Sequence, residues 1–373
     1  MNIPMQKNSI EKETVSLGIN FSDTKEHYNN AILRLMQMEE EVLNSFFSCP
    51  LNFFHSDKNF TLIEAIQALQ KNWTDTLRLF GRDNSDLQQV NIELDSCFGK
   101  INFDKFVKLV RNPKYAIAIN SAIGFGVLVN TSDHSRVKNF DTNYESEYFE
   151  GEIDGVGYGD LDNQPWRIEK AKRLVKELRS ILVQIGCSIS IESMNVLDVG
   201  AGYGQFLNEL KKIGSKVSGL DISEHAAQTA KNRFEISIHQ QTIEEFSKVS
   251  DEKFHLITMW DYIEHPDDPL IDLQHCYEIL CEGGYLVIKT PNVLAFEFDV
   301  FGGYYHSLKQ EHLNYFSPNS LTQLLNMAGF ELKMKYGISH IFQGLLTGSL
   351  TGLAIANGKE SDILLIAQKI SSI

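Results

Sequence analysis

Residues 195–206, NVLDVGAGYGQF, constrain this chain more than any other stretch. Val196, Leu197 and Val199 form a short apolar run that ends at Gly200, and Gly202 and Gly204 follow before an amphipathic segment. A buried strand feeding a glycine-rich turn and then a helix is the opening unit of a doubly wound α/β sheet, the kind that holds a phosphate or a nucleoside. Glycine lets the backbone pass close to such a ligand, where a Cβ atom would collide with it. The spacing is G-A-G-Y-G rather than G-x-G-x-x-G, and Asp198 stands inside the strand just before the turn.

Four further strands follow in order. KVSGLD ends at Asp221, roughly twenty residues after the turn, where a carboxylate accepts hydrogen bonds from ribose hydroxyls. ISIHQQ leads into TIEEF, FHLITMW ends at Asp261 within WDYIEHPDDP, and YLVIKTPN follows the Gly283-Gly284 turn. This ordered set resembles the class I S-adenosylmethionine-dependent methyltransferases, over a domain spanning 141–373. The pair Glu264-His265 and the later EHLNYFS, 311–317, are similar to the bacterial small-molecule branch, which includes sugar, quinone and lipid methyltransferases. The fold expected is α/β: a doubly wound, seven-stranded, mostly parallel sheet, preceded by an α+β or mainly helical domain over 1–140. Phe330 to Lys335 and Ile363 to Gln368 read as the last two strands, paired antiparallel at the sheet edge.

Composition narrows the partners. With 34 Lys and Arg against 49 Asp and Glu, the net charge is −15. That argues against a protein whose affinity rests on cations meeting nucleic-acid phosphates. Five cysteines without a CxxC pair read as reduced thiols. The N-terminus has no apolar core of a signal peptide, and the apolar stretch 341–356 is too short and interrupted to span a bilayer. The expectation is a cytoplasmic protein acting on a small molecule, with no nucleic-acid or membrane partner.

The N-terminal third carries no catalytic constellation. Apolar residues at helical spacing mark helices over 24–47 and 62–80, and FDKFVKLV, 103–110, reads as a shorter one. Cys49-Pro50 and the run 114–130 resemble a zinc-ribbon module that precedes some bacterial methyltransferases. The candidates Cys49, His55, Cys97 and His134 have irregular spacing, so no metal is expected. Dimerisation, as a homodimer, or covering the substrate pocket is the expected work of this domain. Beyond it, the resemblance implies a lid: Gly155, Gly157 and Gly159 around Tyr158 suit a mobile loop, followed by a helix over 165–185.

The resemblance implies S-adenosylmethionine as the cofactor and assigns residues to it. Gly200, Gly202 and Gly204 flank its methionine portion, and Asp198 organises the turn or reaches the amino group through water. Asp221 binds the ribose and Ile222 contacts the adenine face. Thr242 and Ile243 stand where the family often has an acidic residue reading the adenine amino group. Trp260 and Asp261 border the sulfonium.

Methyl transfer needs alignment of the nucleophile and a destination for its proton. Three histidines are candidates for that destination. His265 lies at the carboxyl end of the fourth strand, where open α/β sheets place reactive groups. His312, with Glu311 before it, resembles the YHEHLxYFS signature of deoxysugar C-methyltransferases, although the tyrosine position holds Lys309. His306 lines the substrate side with Tyr304 and Tyr305. Two other readings keep the same cofactor: transfer of its aminocarboxypropyl arm, or a non-catalytic cofactor-binding scaffold. A NAD-binding dehydrogenase has the wrong glycine spacing.

Overall fold

The computed structural model describes residues 62–80, 82, 87–138, 165–338 and 357–370. The helix expected over 24–47, the loop around Tyr158, Cys49 and His55, and most of the insert 337–359 lie outside the described residues. Helix α1 (Leu62–Leu79) precedes four strands, β1 (Leu87–Ser96), β2 (Gly99–Lys108), β3 (Tyr115–Asn120) and β4 (Phe125–Asn130). After α2 (Pro165–Gln184) the chain alternates: β5 (Asn195–Val199), α3 (Gln205–Ile213), β6 (Lys216–Leu220), α4 (Glu224–Phe234), β7 (Ile238–His239), α5 (Ile243–Val249), β8 (Phe254–Trp260), α6 (Pro269–Ile279) and β9 (Leu280–Pro291). It closes with α7 (Phe296–Phe301), β10 (Asn314–Phe316), α8 (Pro318–Met327), β11 (Phe330–Ile338) and β12 (Asp362–Lys369).

The larger sheet has seven strands in the order β11-β12-β9-β8-β5-β6-β7. Strands β5 to β9 are parallel, and β12 and β11 add antiparallel at one edge, as the sequence predicts. From β5 the chain first moves outward to β6 and β7, then returns to place β8 on the other side of β5. That reversal leaves a crevice at the carboxyl ends of β5 and β8, where open α/β sheets bind ligands.

Both faces of this sheet are covered, which is why its strands read as continuous apolar runs. Leu197, Val199, Ile257, Met259 and Ile288 pack on one side with Ile243, Leu273 and Leu324. Val196, Leu256 and Val287 pack on the other with Val175 and Leu178 of α2 and Leu207 of α3. Fully burying each such side chain stabilises the fold by about 1.5–3 kcal/mol. Ser223, Thr242, Asp268 and Ser317 cap the N-termini of α4, α5, α6 and α8 through their side chains, fixing where four helices begin.

Strands β1 to β4 form an antiparallel sheet that recruits β10 as its fifth member, next to β4. The Val293 amide donates to the Phe316 carbonyl at 2.8 Å, linking β10 to the end of β9. Phe106, Phe125 and Val127 share a core cluster with Leu197, Phe316 and Leu365, so the smaller sheet and the larger one bury a common interior. Trp73 of α1 sits edge-on to Phe301 at 5.0 Å and to Tyr304 at 5.6 Å.

One element departs from the sequence expectation. Residues 103–108 belong to strand β2, not to a helix. Phe103 and Phe106 enter one buried cluster while Val107 and Leu109 enter another, so both faces of this segment are covered. Apolar residues on both faces of a strand imitate helical spacing.

Candidate active site

The turn after β5 is held by the chain's own main chain. The Gly200 and Ala201 amides both donate to the Leu220 carbonyl at 2.9 Å, tying the turn to β6. Gly200, Gly202 and Gly204 have φ of 74°, 51° and 74°, a left-handed path that favours glycine. A Cβ at Gly200 would lie 2.8 Å from the Tyr262 ring. Asp221 closes the arrangement: its Oδ2 accepts from the Gly202 amide at 2.8 Å and its Oδ1 from the Ser223 amide at 2.9 Å. Burial pushes the Asp221 carboxyl up, against these backbone donors.

Asp198 lies beneath the turn. It is 2 % exposed and its Oδ1 accepts from the Thr258 hydroxyl at 2.6 Å. Burial pushes its pKa up to about 7, with the Asp221 charge adding to the rise and the Thr258 bond opposing it. Thr242 uses its hydroxyl to accept from the Glu245 amide in a capping box, and Ile243 turns fully into the core. The helix start therefore occupies both residues that the sequence offers as adenine readers. Gln240, which the sequence reading passed over, donates from Nε2 to the Ile222 carbonyl at 3.3 Å.

Three features of the crevice fit a nucleoside with a charged tail. Ile222, directly after Asp221, leaves 52 % of its surface exposed at the carboxyl edge of β6, an apolar face open to a base. The Gln205 Nε2 and Trp260 Nε1 atoms are buried with no hydrogen-bond partner. Buried polar donors are paired in the great majority of proteins, so two orphans flanking one glycine turn are donors awaiting an acceptor. Phe206 meets the Trp260 ring edge-on at 5.1 Å and fixes its plane.

Beyond Trp260 lies a buried ion cluster. Lys289 on β9 places Nζ 2.6 Å from Asp261 Oδ1 and 2.7 Å from Asp362 Oδ2. Burial opposes its charge, but the two carboxylates overcome that and hold the ammonium protonated well above its ordinary value. The Lys289 carbonyl also accepts from the Asp261 amide at 2.8 Å. Lys289 thus grips Asp261 by main chain and side chain, and Asp261 adopts φ of 55°, uncommon for a residue with a Cβ.

Glu264, His265 and His312 meet on the next stretch. Glu264 Oε2 accepts from the Thr290 hydroxyl at 2.9 Å, whereas Oε1 is buried without a partner. Burial, with the Asp261 charge second, pushes its pKa up to about 8. His265 Nδ1 donates to the Glu311 carbonyl at 3.0 Å, which fixes its tautomer because a carbonyl can only accept. His312 is 5 % exposed and its Nδ1 has no partner. Burial, then the neighbouring His265 and Lys309 charges, hold His312 well below the ordinary imidazole range, so the ring is neutral at pH 7. The two imidazoles lie edge to face at 5.0 Å. The ligand atoms of Glu264, His265 and His312 all fall within 4.8 Å of one another, a spacing that can share a proton or hold one cation.

The smaller sheet reaches this loop. Arg136, beyond β4, donates to the Asp267 carbonyl at 2.7 Å and to Asn314 Oδ1 at 3.1 Å, and Asn314 donates to the Pro266 carbonyl at 2.6 Å. Glu311 keeps its carboxylate 3.7 Å from the Lys309 ammonium. Tyr305 is buried in the core beneath Asn292 and Ser361, not on an open substrate face.

A family model described as a methyltransferase domain matches residues 166–333. The ubiquinone biosynthesis O-methyltransferase of Coxiella burnetii (strain RSA 493) is 30% identical over 183 residues, 46% of this chain and 77% of the relative. The protein of the same name from Aromatoleum aromaticum is 25% identical over 197 residues, 49% of this chain and 84% of the relative. The crystal structure of a SAM-dependent methyltransferase from Archaeoglobus fulgidus aligns over 56% of this chain and 98% of its own, with 21% identity and a TM-score of 0.41. With the family model across β5 to β11 and such identity along most of a relative's length, the chain belongs to the S-adenosylmethionine-dependent methyltransferases.

Proposed function

We propose that the enzyme methylates an oxygen or nitrogen of a small molecule and that His312 receives the acceptor's proton. Bound S-adenosylmethionine supplies an electrophilic methyl group on a sulfonium. Asp221 is the ribose anchor in this reading, Gln205 and Trp260 donate to the cofactor's polar tail, and the glycine turn passes under it. Ile222 offers the base an apolar face.

The observation that carries the proton's destination is the unpartnered Nδ1 of a buried, neutral His312. A neutral imidazole can take a proton, whereas an imidazolium cannot. Glu264, uncharged below about pH 8, turns Oε1 toward the same space and can donate or accept as the proton arrives. The Glu311 carbonyl orients His265, and Glu311 acts by holding this orientation. Lys289 and Asp362 fix Asp261 at the boundary between cofactor and acceptor.

The relatives' printed O-methyltransferase activity puts hydroxyl acceptors first in a test panel. His312→Gln is expected to lower single-turnover methyl transfer to the accepted compound while S-adenosylhomocysteine still binds. Unchanged transfer by this variant would remove His312 from the reaction. Product mass distinguishes a methyl group from the aminocarboxypropyl arm. The 4.8 Å grouping of Glu264, His265 and His312 favours one second reading, a divalent cation that polarises the acceptor. Under that reading chelator treatment abolishes transfer and added metal restores it; under the proton reading chelation has no effect.

A further inference from the structure

Next to the imidazole pair, the structure holds a cavity of about 190 Å³ between the β2–β3 connection and the loop before β10. Leu109 and Leu308 are its apolar members; Arg111, Asn112, Lys309, Gln310 and Glu311 supply the rest. Its volume admits a small charged group and a few attached atoms, below the range of whole drug-sized ligands.

Lys309 is the informative residue. Its side chain is 21 % exposed, and its nearest carboxylate oxygen, Glu311 Oε1, stands at 3.7 Å, beyond hydrogen-bond length. No hydrogen-bond acceptor for its ammonium occurs among the described residues. The side chain as a whole is partly buried, and its ammonium carries three donors. Arg111 lines the same cavity and donates to the His306 carbonyl at 3.2 Å, which holds it there. The lining thus brings Arg111 and Lys309 together with Glu311, on a chain whose net charge is −15. It abuts the acceptor side directly, since the Glu311 carbonyl accepts from His265 and His312 follows in sequence.

We propose that Lys309, with Arg111, binds an oxyanion carried by the acceptor, a phosphate ester or a carboxylate, and so makes the enzyme selective for anionic acceptors. This rests on the acceptor-side reading given above. The Asn112 amide donates to Gln310 Oε1 at 2.5 Å and holds the cavity wall, and Leu109 and Leu308 take the neighbouring carbon.

The test titrates inorganic phosphate and, separately, acetate at constant ionic strength into the full chain loaded with S-adenosylhomocysteine, following the ring signals of His265 and His312 by NMR. Expected is a saturable shift with at least one anion. Affinity should fall at least tenfold in Lys309→Gln and in Arg111→Gln, and stay near wild type in Lys309→Arg and in the distant Lys71→Gln. Saturation by phosphate alone assigns a phosphate ester, and by acetate alone a carboxylate. No saturation with either anion, or equal binding by Lys309→Gln and wild type, overturns the proposal. If His312 proved irrelevant to transfer, anion saturation would still be read, so the two ideas fail separately.

Discussion

The two halves of the crevice treat their charged groups in opposite ways. On the cofactor side, the Asp221 carboxylate already accepts from two backbone amides, and Asp198 is tied to Thr258. On the acceptor side, Glu264 Oε1 and His312 Nδ1 are buried and left open. The first half is a preformed cradle whose shape is fixed before any ligand arrives. The second stores unpaired titratable groups, each of which raises the free energy of the folded chain until a ligand or proton satisfies it. Under the proposed function the difference teaches that cofactor recognition is a matter of backbone shape, and acceptor chemistry a matter of proton placement.

The largest expected effect falls on the acceptor side alone. His312→Gln should lower methyl transfer by about 10²–10⁴-fold, the range for a positioned proton acceptor. The same variant should change S-adenosylhomocysteine affinity less than twofold. Lys289→Met tests the boundary between the halves. Removing the cation strands the buried Asp362 beside the more exposed Asp261, and loss of one partner of a buried pair costs about 3–5 kcal/mol. Denaturant unfolding reads this directly, and Lys289→Arg should recover part of it.

Asp198 and His312 should also respond to pH with opposite sign. Asp198 has a folded pKa above its unfolded value, so its contribution is greatest below about pH 4 and is lost as pH rises toward 7. Asp198→Asn should remove that decline and leave the apo protein relatively more stable at pH 8. His312 has a folded pKa below the unfolded 6.5, so its contribution is present above that value and is lost on acidification. Thermal melts of His312→Gln from pH 5 to pH 8 should lack this acid loss. The smallest effect is that of Thr242→Ala, about 1 kcal/mol from a lost helix cap. Cofactor affinity within twofold of wild type in that variant would separate capping from adenine reading.

Legibility followed the same division. The turn 200–204 and Asp221 announce themselves because glycine spacing and a strand-end carboxylate encode backbone geometry locally. The strands of the larger sheet were readable for the same reason, as apolar runs separated by capped helices, and the family resemblance supplied the antiparallel edge. The Lys289 cluster was not, since Asp261, Lys289 and Asp362 lie on three separate strands or strand ends and meet only in the folded sheet. Thr242 also caps a helix, a use of its hydroxyl that sequence position alone does not reveal. Gln205 was passed over as an ordinary helix residue, and only its unpaired amide marks it. In β2, burial of both faces erased the period-two alternation that would have declared a strand.

One measurement addresses the division of labour directly: calorimetric titration of S-adenosylhomocysteine into wild type, Asp221→Ala and His312→Gln. The account predicts binding at least fiftyfold weaker in Asp221→Ala and binding within twofold of wild type in His312→Gln. Equal affinity in wild type and Asp221→Ala, or a loss confined to His312→Gln, would contradict it.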